Sequence, residues 1–246
     1  MTIGSTLIFY NELASTNTEA SELLRSGEQP EGTVIYTSFQ SAGRGQGFNK
    51  WESERGKNLL FSIILYPNSV SPADQFQISM TISLGICDFL DRHCTGARIK
   101  WPNDIYLGNQ KIAGILIENS VLGSVIETSV AGIGLNINQE NFPAMVPPPV
   151  SLKMATGKEY ILIKCLRDLL RDLDNRYRNL LYDDRNRIRH DYLARLYRFM
   201  EWTSFKSSGS IFIGRITDVL VSGLIRVEER NGKIREFSVR DFSFLS

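Results

Sequence analysis

The sequence is poor in the residues that staple or metallate a small protein, with 3 cysteines and 2 histidines in 246 residues. Cys87, Cys94 and Cys165 are odd in number and widely spaced, and no CxxC occurs. A disulfide framework and a thiolate zinc site are therefore not expected. His93 and His190 have no partner at metal-ligand spacing and lie in polar, helix-like surroundings, so both are expected at the surface. Charge of one sign is missing too: 28 Lys+Arg stand against 27 Asp+Glu, a formal charge of +1. That balance excludes a generic polyanion binder. Long apolar runs are absent. The longest, residues 59–66, is broken by Ser62 and is far too short to span a bilayer. The opening MTIGSTLIFYNEL has no basic n-region and is not read as a secretory signal. A soluble protein of a reducing cytoplasm, with no membrane partner, is expected.

What is present is ordinary globular composition, 42% hydrophobic and 22% charged. The length suits one large domain with a smaller one. The charges are unevenly placed. Residues 1–150 carry 9 Lys+Arg and 14 Asp+Glu, residues 151–200 carry 12 and 7, and residues 201–246 carry 7 and 6. An acidic front, a basic middle and a neutral tail point to at least two structural units.

Residues 6–10 read as a short strand, followed by a helix in which Thr16 and Glu19 have capping-box spacing. Residues 34–39 and 59–66 read as strands, the second fully buried. Over 74–94 the apolar residues cover most of a helix surface, which predicts a central helix. Strands follow at 97–101, 105–107, 111–118 and 125–135, with turns at Gly108-Asn109-Gln110 and Leu122-Gly123-Ser124. After the loop around Pro143 and Pro147-Pro148-Pro149 come helices at 159–182 and 185–199. The first of these carries Leu166, Leu169, Leu170, Leu173 and Tyr177 on one face. From Ser210 only short strands remain, a meander resembling a small SH3-like barrel.

Four segments could carry chemistry. In Gly43-Arg44-Gly45-Gln46-Gly47-Phe48-Asn49-Lys50-Trp51, three glycines in five residues let the backbone approach an anion. Arg44 adds a bidentate charge and Trp51 an aromatic face. The spacing matches neither Walker A nor GxGxxG, and composition alone leaves a surface loop with a buried Trp equally open. Lys100-Trp101-Pro102-Asn103-Asp104 could hold a metal–phosphate group or be a capped turn. Lys111 heads the apolar run to Glu118, where it suits an anionic partner or protects an edge strand. Gly132 and Gly134 stand inside a strand, which often marks a ligand lying against the backbone.

Together these blocks resemble the biotin protein ligases. The resemblance runs from Ser15-Thr16-Asn17, through Gln40 and the Gly43-to-Trp51 loop, to Lys100–Asp104, Lys111–Glu118 and Gly132–Asn136. The blocks stand in the family's order over about 120 residues, and the Lys100 and Lys111 blocks are the most specific. The resemblance implies an α+β fold of the class II aminoacyl-tRNA synthetase/biotin synthetase-like kind. That fold is a mixed sheet flanked by helices over 1–200, with a C-terminal SH3-like barrel over 201–246. It implies a two-step reaction: biotin and ATP give biotinyl-5′-AMP and pyrophosphate, then a lysine of the biotin carboxyl carrier protein takes the biotinyl group. ATP and Mg²⁺ are the implied cofactors and biotin the substrate, with no tightly bound prosthetic group.

By similarity, Lys111 and Arg44 offset the repulsion between the biotin carboxylate and the α-phosphate, with Asp104 beside them as Mg²⁺ ligand or base. Ser15, Thr16, Asn17 and Gln40 meet the ureido ring. Gly43, Gly45 and Gln46 belong to the covering loop, and Gly114, Leu116 and Gly132 wall the thioether ring and tail. Trp51, Lys100, Asn103 and Asn136 lie with the nucleotide. Two departures stand out. Gln46 replaces an arginine that helps hold the loop over the acyl-adenylate, so retention by other contacts, or looser retention, is expected. Phe48 replaces a small residue. Some family members begin with a helix-turn-helix repressor domain. With the Ser15 block so early, a ligase without one is expected, as monomer or homodimer and with no nucleic-acid partner.

Two rival readings remain. One is a lipoate or octanoate ligase or transferase of the same general fold. The other is a nucleic-acid-binding module using the basic 151–200 helices, against which stand the interleaved Asp168, Asp172, Asp174, Asp183 and Asp184.

Overall fold

The computed structural model describes residues 2–47, 49–182 and 185–245. Strand β1 (Leu7–Tyr10) leads into helix α1 (Thr16–Ser26), then β2 (Val34–Thr37) and β3 (Leu59–Leu65). Helix α2 (Phe76–Asp91) precedes β4 (Ala97–Lys100), β5 (Asp104–Leu107), β6 (Gln110–Leu122) and β7 (Val125–Leu135). Three helices follow: α3 (Leu152–Thr156), α4 (Leu162–Tyr182) and α5 (Arg185–Ala194). The chain closes with β8 (Thr203–Ser207), β9 (Ser210–Val219), β10 (Ile225–Glu229), β11 (Ile234–Phe237) and β12 (Ser243–Phe244).

The first seven strands form one mixed sheet in the order β1-β2-β3-β7-β6-β5-β4, in which β1 and β2 pair in parallel and the other pairs are antiparallel. Every residue of β3 is buried, because both faces of the sheet are covered. On one face Phe61, Ile63, Ile133 and Leu135 join a core with α2 and α4. On the other, Ile64, Ile35 and Val130 pack with Ala20 of α1. Each such aliphatic or aromatic side chain contributes roughly 1.5–3 kcal/mol when fully buried. Twelve of the sixteen residues of α2 are buried, which makes it the central helix its composition predicts. The expected face of α4 is also buried.

The strands beyond residue 202 form a second, antiparallel sheet in the order β11-β10-β9-β8-β12. Trp101 fastens it to the first sheet: its Nε1 donates to Gly223 O at 3.1 Å and its ring meets Phe242 edge-on.

Several expectations need correction. The capping box of Thr16 and Glu19 does not form. Ser15 is the N-cap of α1 without a side-chain cap bond, and Glu19 instead accepts from the Tyr10 hydroxyl at 2.7 Å. The two C-terminal helices are shorter than expected, and β8 precedes the meander. His93 is not a free surface residue: it is half-buried between the rings of Phe89 and Tyr160. The acids of 151–200 are mostly structural. Asp172 pairs with Arg92, Asp168 with Arg171, and Asp174 accepts from the backbone N–H groups of Thr2 and Ile3. Asp183 and Asp184 lie outside the described residues. Among the described residues, no helix is long and apolar enough to cross a membrane.

Candidate active site

The register of the sheet builds the floor of the site. Ser62 of β3, Gly132 of β7 and Leu116 of β6 are partners on one rung, and Leu60, Gly134 and Gly114 on another two residues along. Alternation puts both glycines of β7 on the same face. With no Cβ there, side chains from elsewhere lie directly on the strand. Asn17 covers Gly132 so closely that a Cβ would fall 2.1 Å from its Oδ1. The Trp51 indole covers Gly134, where a Cβ would fall 2.3 Å from the ring.

Above this floor a cavity of about 110 Å³ opens. At one end stands the N-terminus of α1. Gln40 Oε1 accepts from Thr16 N at 2.8 Å and from Thr16 Oγ1 at 3.1 Å. Beneath them Ser62 Oγ lies 2.7 Å from Thr16 Oγ1 and 2.6 Å from Asn17 Oδ1. Asn17 Nδ2 donates to Leu116 O and to Glu118 Oε2. This end offers fixed dipoles and no unpaired charge.

The middle of the cavity is ionic. Lys111 Nζ lies 2.7 Å from Asp104 Oδ1 and 5.6 Å from the Trp51 ring centroid. Arg44 pairs with Glu118 at 2.5 Å. Lys111 and Arg44 are each matched by a carboxylate, with Lys50 a further cation on the cavity lining, so an anion entering here competes with Asp104 and Glu118 for Lys111 and Arg44. Asn103 Nδ2 donates to Ile115 O at 2.8 Å and Ile115 N to Asn103 O at 2.9 Å, which holds the Lys100-to-Asp104 turn against β6.

The glycine-rich loop closes one side. Its stem is tied by Trp51 N to Gly43 O at 3.0 Å, and its tip by Gly45 N to Asn49 O at 2.8 Å. A Cβ at Gly43 would fall 2.3 Å from Trp51 O, so the stem closes only on glycine. The Trp51 indole nitrogen is buried without a partner.

The residues singled out in the sequence thus converge. Ser15, Thr16, Asn17, Gln40, Arg44, Gly45, Gln46, Trp51, Asn103, Asp104, Lys111, Gly114, Leu116 and Gly132 line the cavity, and Gly43 lines an adjoining pocket that shares Gln40, Arg44, Gly45, Trp51 and Leu116 with it. Lys100 and Asn136 lie off it. Lys100 Nζ donates to Tyr106 Oη at 2.9 Å and faces the Phe244 ring at 5.2 Å, and burial lowers its pKa. Asn136 Nδ2 donates to Val150 O and braces the strand ends. Phe48 lies outside the described residues. Ser62 and Glu118 take part in the site without having been assigned a role from the sequence. Their signal was a lone hydroxyl in an apolar strand and a carboxylate ending a dry one. Among the described residues, no group of three or more His, Cys, Asp or Glu is placed to hold a metal ion.

A mixed sheet with helices on both faces, followed by a second antiparallel sheet, is the fold shared with the biotin protein ligase from Aquifex aeolicus solved in complex with biotin and ATP. The two superpose with a TM-score of 0.79 and 24% identity, covering 97% of this chain and 98% of that one. The sequence narrows the class. The model of the Biotin/lipoate A/B protein ligase family matches residues 10–136, and the chain belongs to that family. The bifunctional ligase/repressor BirA of Bacillus subtilis is 30% identical over 184 residues, 73% of this chain and 56% of that protein. The biotin–[acetyl-CoA-carboxylase] ligase of Paracoccus denitrificans is 33% identical over 153 residues, 59% of this chain and 63% of that protein. The chain therefore spans a little over half the length of these curated relatives.

Proposed function

We propose that the chain is an ATP-dependent biotin protein ligase. It joins the biotin carboxylate to the α-phosphate of ATP, releasing pyrophosphate, and passes the biotinyl group to a lysine of a biotin carboxyl carrier protein. The observation that carries this reading is the order of chemistry along one cavity: a neutral polar end, a Lys111–Asp104 and Arg44–Glu118 centre, and the Trp51 ring. A ureido ring, two reacting anions and a purine need these three environments in that order.

Two like charges about 4 Å apart repel by roughly 4 kcal/mol at a near-surface effective dielectric, more than one hydrogen bond returns. Lys111 and Arg44 supply the opposing charge by exchanging their carboxylate partners for the biotin carboxylate and the α-phosphate. Of the two carboxylates at this centre, only Asp104 is among the described residues lining the pocket that Lys111 enters, Glu118 lining the adjoining one, which fits a Mg²⁺ held mainly by phosphates and water. Asp104 would hold that ion, which neutralises the phosphates. The alternative role for Asp104 is that of base, taking the proton of the incoming lysine. Ser15, Thr16, Asn17 and Gln40 satisfy the ureido group, a neutral polar head that costs free energy if buried unpaired. Gln46 leaves the loop without one arginine of the family pattern, so Arg44 and Lys50, which both line the cavity, are the loop cations left to hold the acyl-adenylate. We also propose that residues 201–246 form an SH3-like barrel appended to a catalytic unit of 1–200, a reading supported by the second, antiparallel sheet.

Substrate-dependent exchange of labelled pyrophosphate into ATP tests the first half-reaction. Exchange is expected with biotin and absent with lipoate or octanoate. Exchange with lipoate alone would overturn the proposal in favour of the other branch of the family.

A further inference from the structure

Ser62 is the sole polar side chain of β3 and is fully buried. It does not line the cavity, yet every contact of its hydroxyl leads there. The Asn17 carboxamide below the α1 N-terminus has only one workable orientation. Its Nδ2 faces two acceptors, Leu116 O at 3.2 Å and Glu118 Oε2 at 2.8 Å, and a reversed amide would set oxygen against both. Asn17 Oδ1 therefore faces Ser62 Oγ at 2.6 Å. A carboxamide oxygen can only accept, so the Ser62 proton goes to it. Both donors of Asn17 and one lone pair of Oδ1 are then spent, leaving one acceptor site. Gly132 shares the rung with Ser62 and lets the carboxamide lie flat on the sheet.

We propose that Ser62 is a positioning residue that determines head-group specificity. It holds Asn17 with its free Oδ1 lone pair presented. The polar end of the cavity is thereby an acceptor for the N–H of a cyclic urea. An acid whose head offers no N–H, such as a dithiolane or an alkyl chain, leaves that acceptor buried and unpaired, which disfavours it. The assignment rests on the reading of the cavity as a biotin site.

The test is a double-substitution cycle on the full chain, using Ser62→Ala, Asn17→Ala and the pair. Calorimetric titration with biotin is combined with KM values for biotin and ATP from pyrophosphate exchange. Ser62→Ala is expected to weaken biotin by roughly tenfold, with kcat and the KM for ATP little changed. In the Asn17→Ala background the serine change should add almost nothing, because its effect passes through that amide. Unchanged biotin affinity in Ser62→Ala would overturn the assignment. So would parallel losses for biotin and ATP, or full additivity of the two substitutions. If the unaltered chain binds no biotin, the functional reading itself fails, which separates that failure from this one.

Discussion

A methyl group at residue 132 would fall 2.1 Å from Asn17, and one at residue 134 would fall 2.3 Å from Trp51. Neither contact is relieved by a shift of a few tenths of an ångström, so each substitution must displace its neighbour. Gly132→Ala is expected to raise the KM for biotin by about tenfold or more and to spare ATP. Gly134→Ala is expected to do the reverse. Steady-state exchange kinetics with each substrate varied would check this, and equal effects on both substrates would refute the division of the floor. Most site residues were legible in the sequence because their types are unusual where they stand: glycines inside a strand, an arginine among glycines, a lysine heading a dry strand. Ser62 was not, because a buried serine reads as an interruption until its partners 45 and 46 residues away are known. Lys100 was legible as part of a motif, but its direction was set by Tyr106 and Phe244, which no local pattern connects to it.

Among the elements, α1 shows where local reading gives way to tertiary partners. Thr16 and Glu19 have the spacing of a reciprocal cap, yet Gln40 satisfies the first N–H of the helix and Tyr10 takes the glutamate. The helix start is thereby tied to the segment that opens the glycine-rich loop. The strand pattern was legible because β3 is apolar on both faces but for Ser62, and turn residues bound β6 and β7. Their neighbours were not, since order in a sheet depends on pairings remote in sequence. β6 and β7 lie inside the sheet, and β6 is open only where it outruns β5. Helix α2 ends at another unforeseen contact. His93 Nε2 is buried without a partner, and burial, helped by Arg92, holds its pKa below the ordinary value. The unfolded chain then binds a proton near pH 6.5 that the folded chain takes up only at lower pH. Stability should fall as pH drops from about 6.5 towards the folded value. Thermal melts across that window should show a shallower decline for His93→Leu than for the unaltered chain. Identical slopes would contradict this role.

On the scale of the whole molecule, the two sheets are clamped around the turn that presents Asp104. Trp101 reaches Gly223, Phe76 N donates to Val221 O, and Arg189 pairs with Asp218. The C-terminal strands thus brace the turn from which Asp104 reaches Lys111 in the middle of the cavity. The near-zero net charge, uninformative in itself, resolves into local pairs. The basic helices of 151–200 are held by their own acids and by Asp88 and Asp91. Arg44 and Lys111, two of the few cations of the acidic front, stand in the cavity. The central claim is a transfer, and its most direct measurement is the mass of a purified biotin carboxyl carrier domain after incubation with the chain, biotin and Mg-ATP. The expected result is one biotinyl group per domain, dependent on ATP and lost with Lys111→Ala. An unmodified carrier under these conditions, alongside lipoyl or octanoyl transfer to a lipoyl domain, would contradict it.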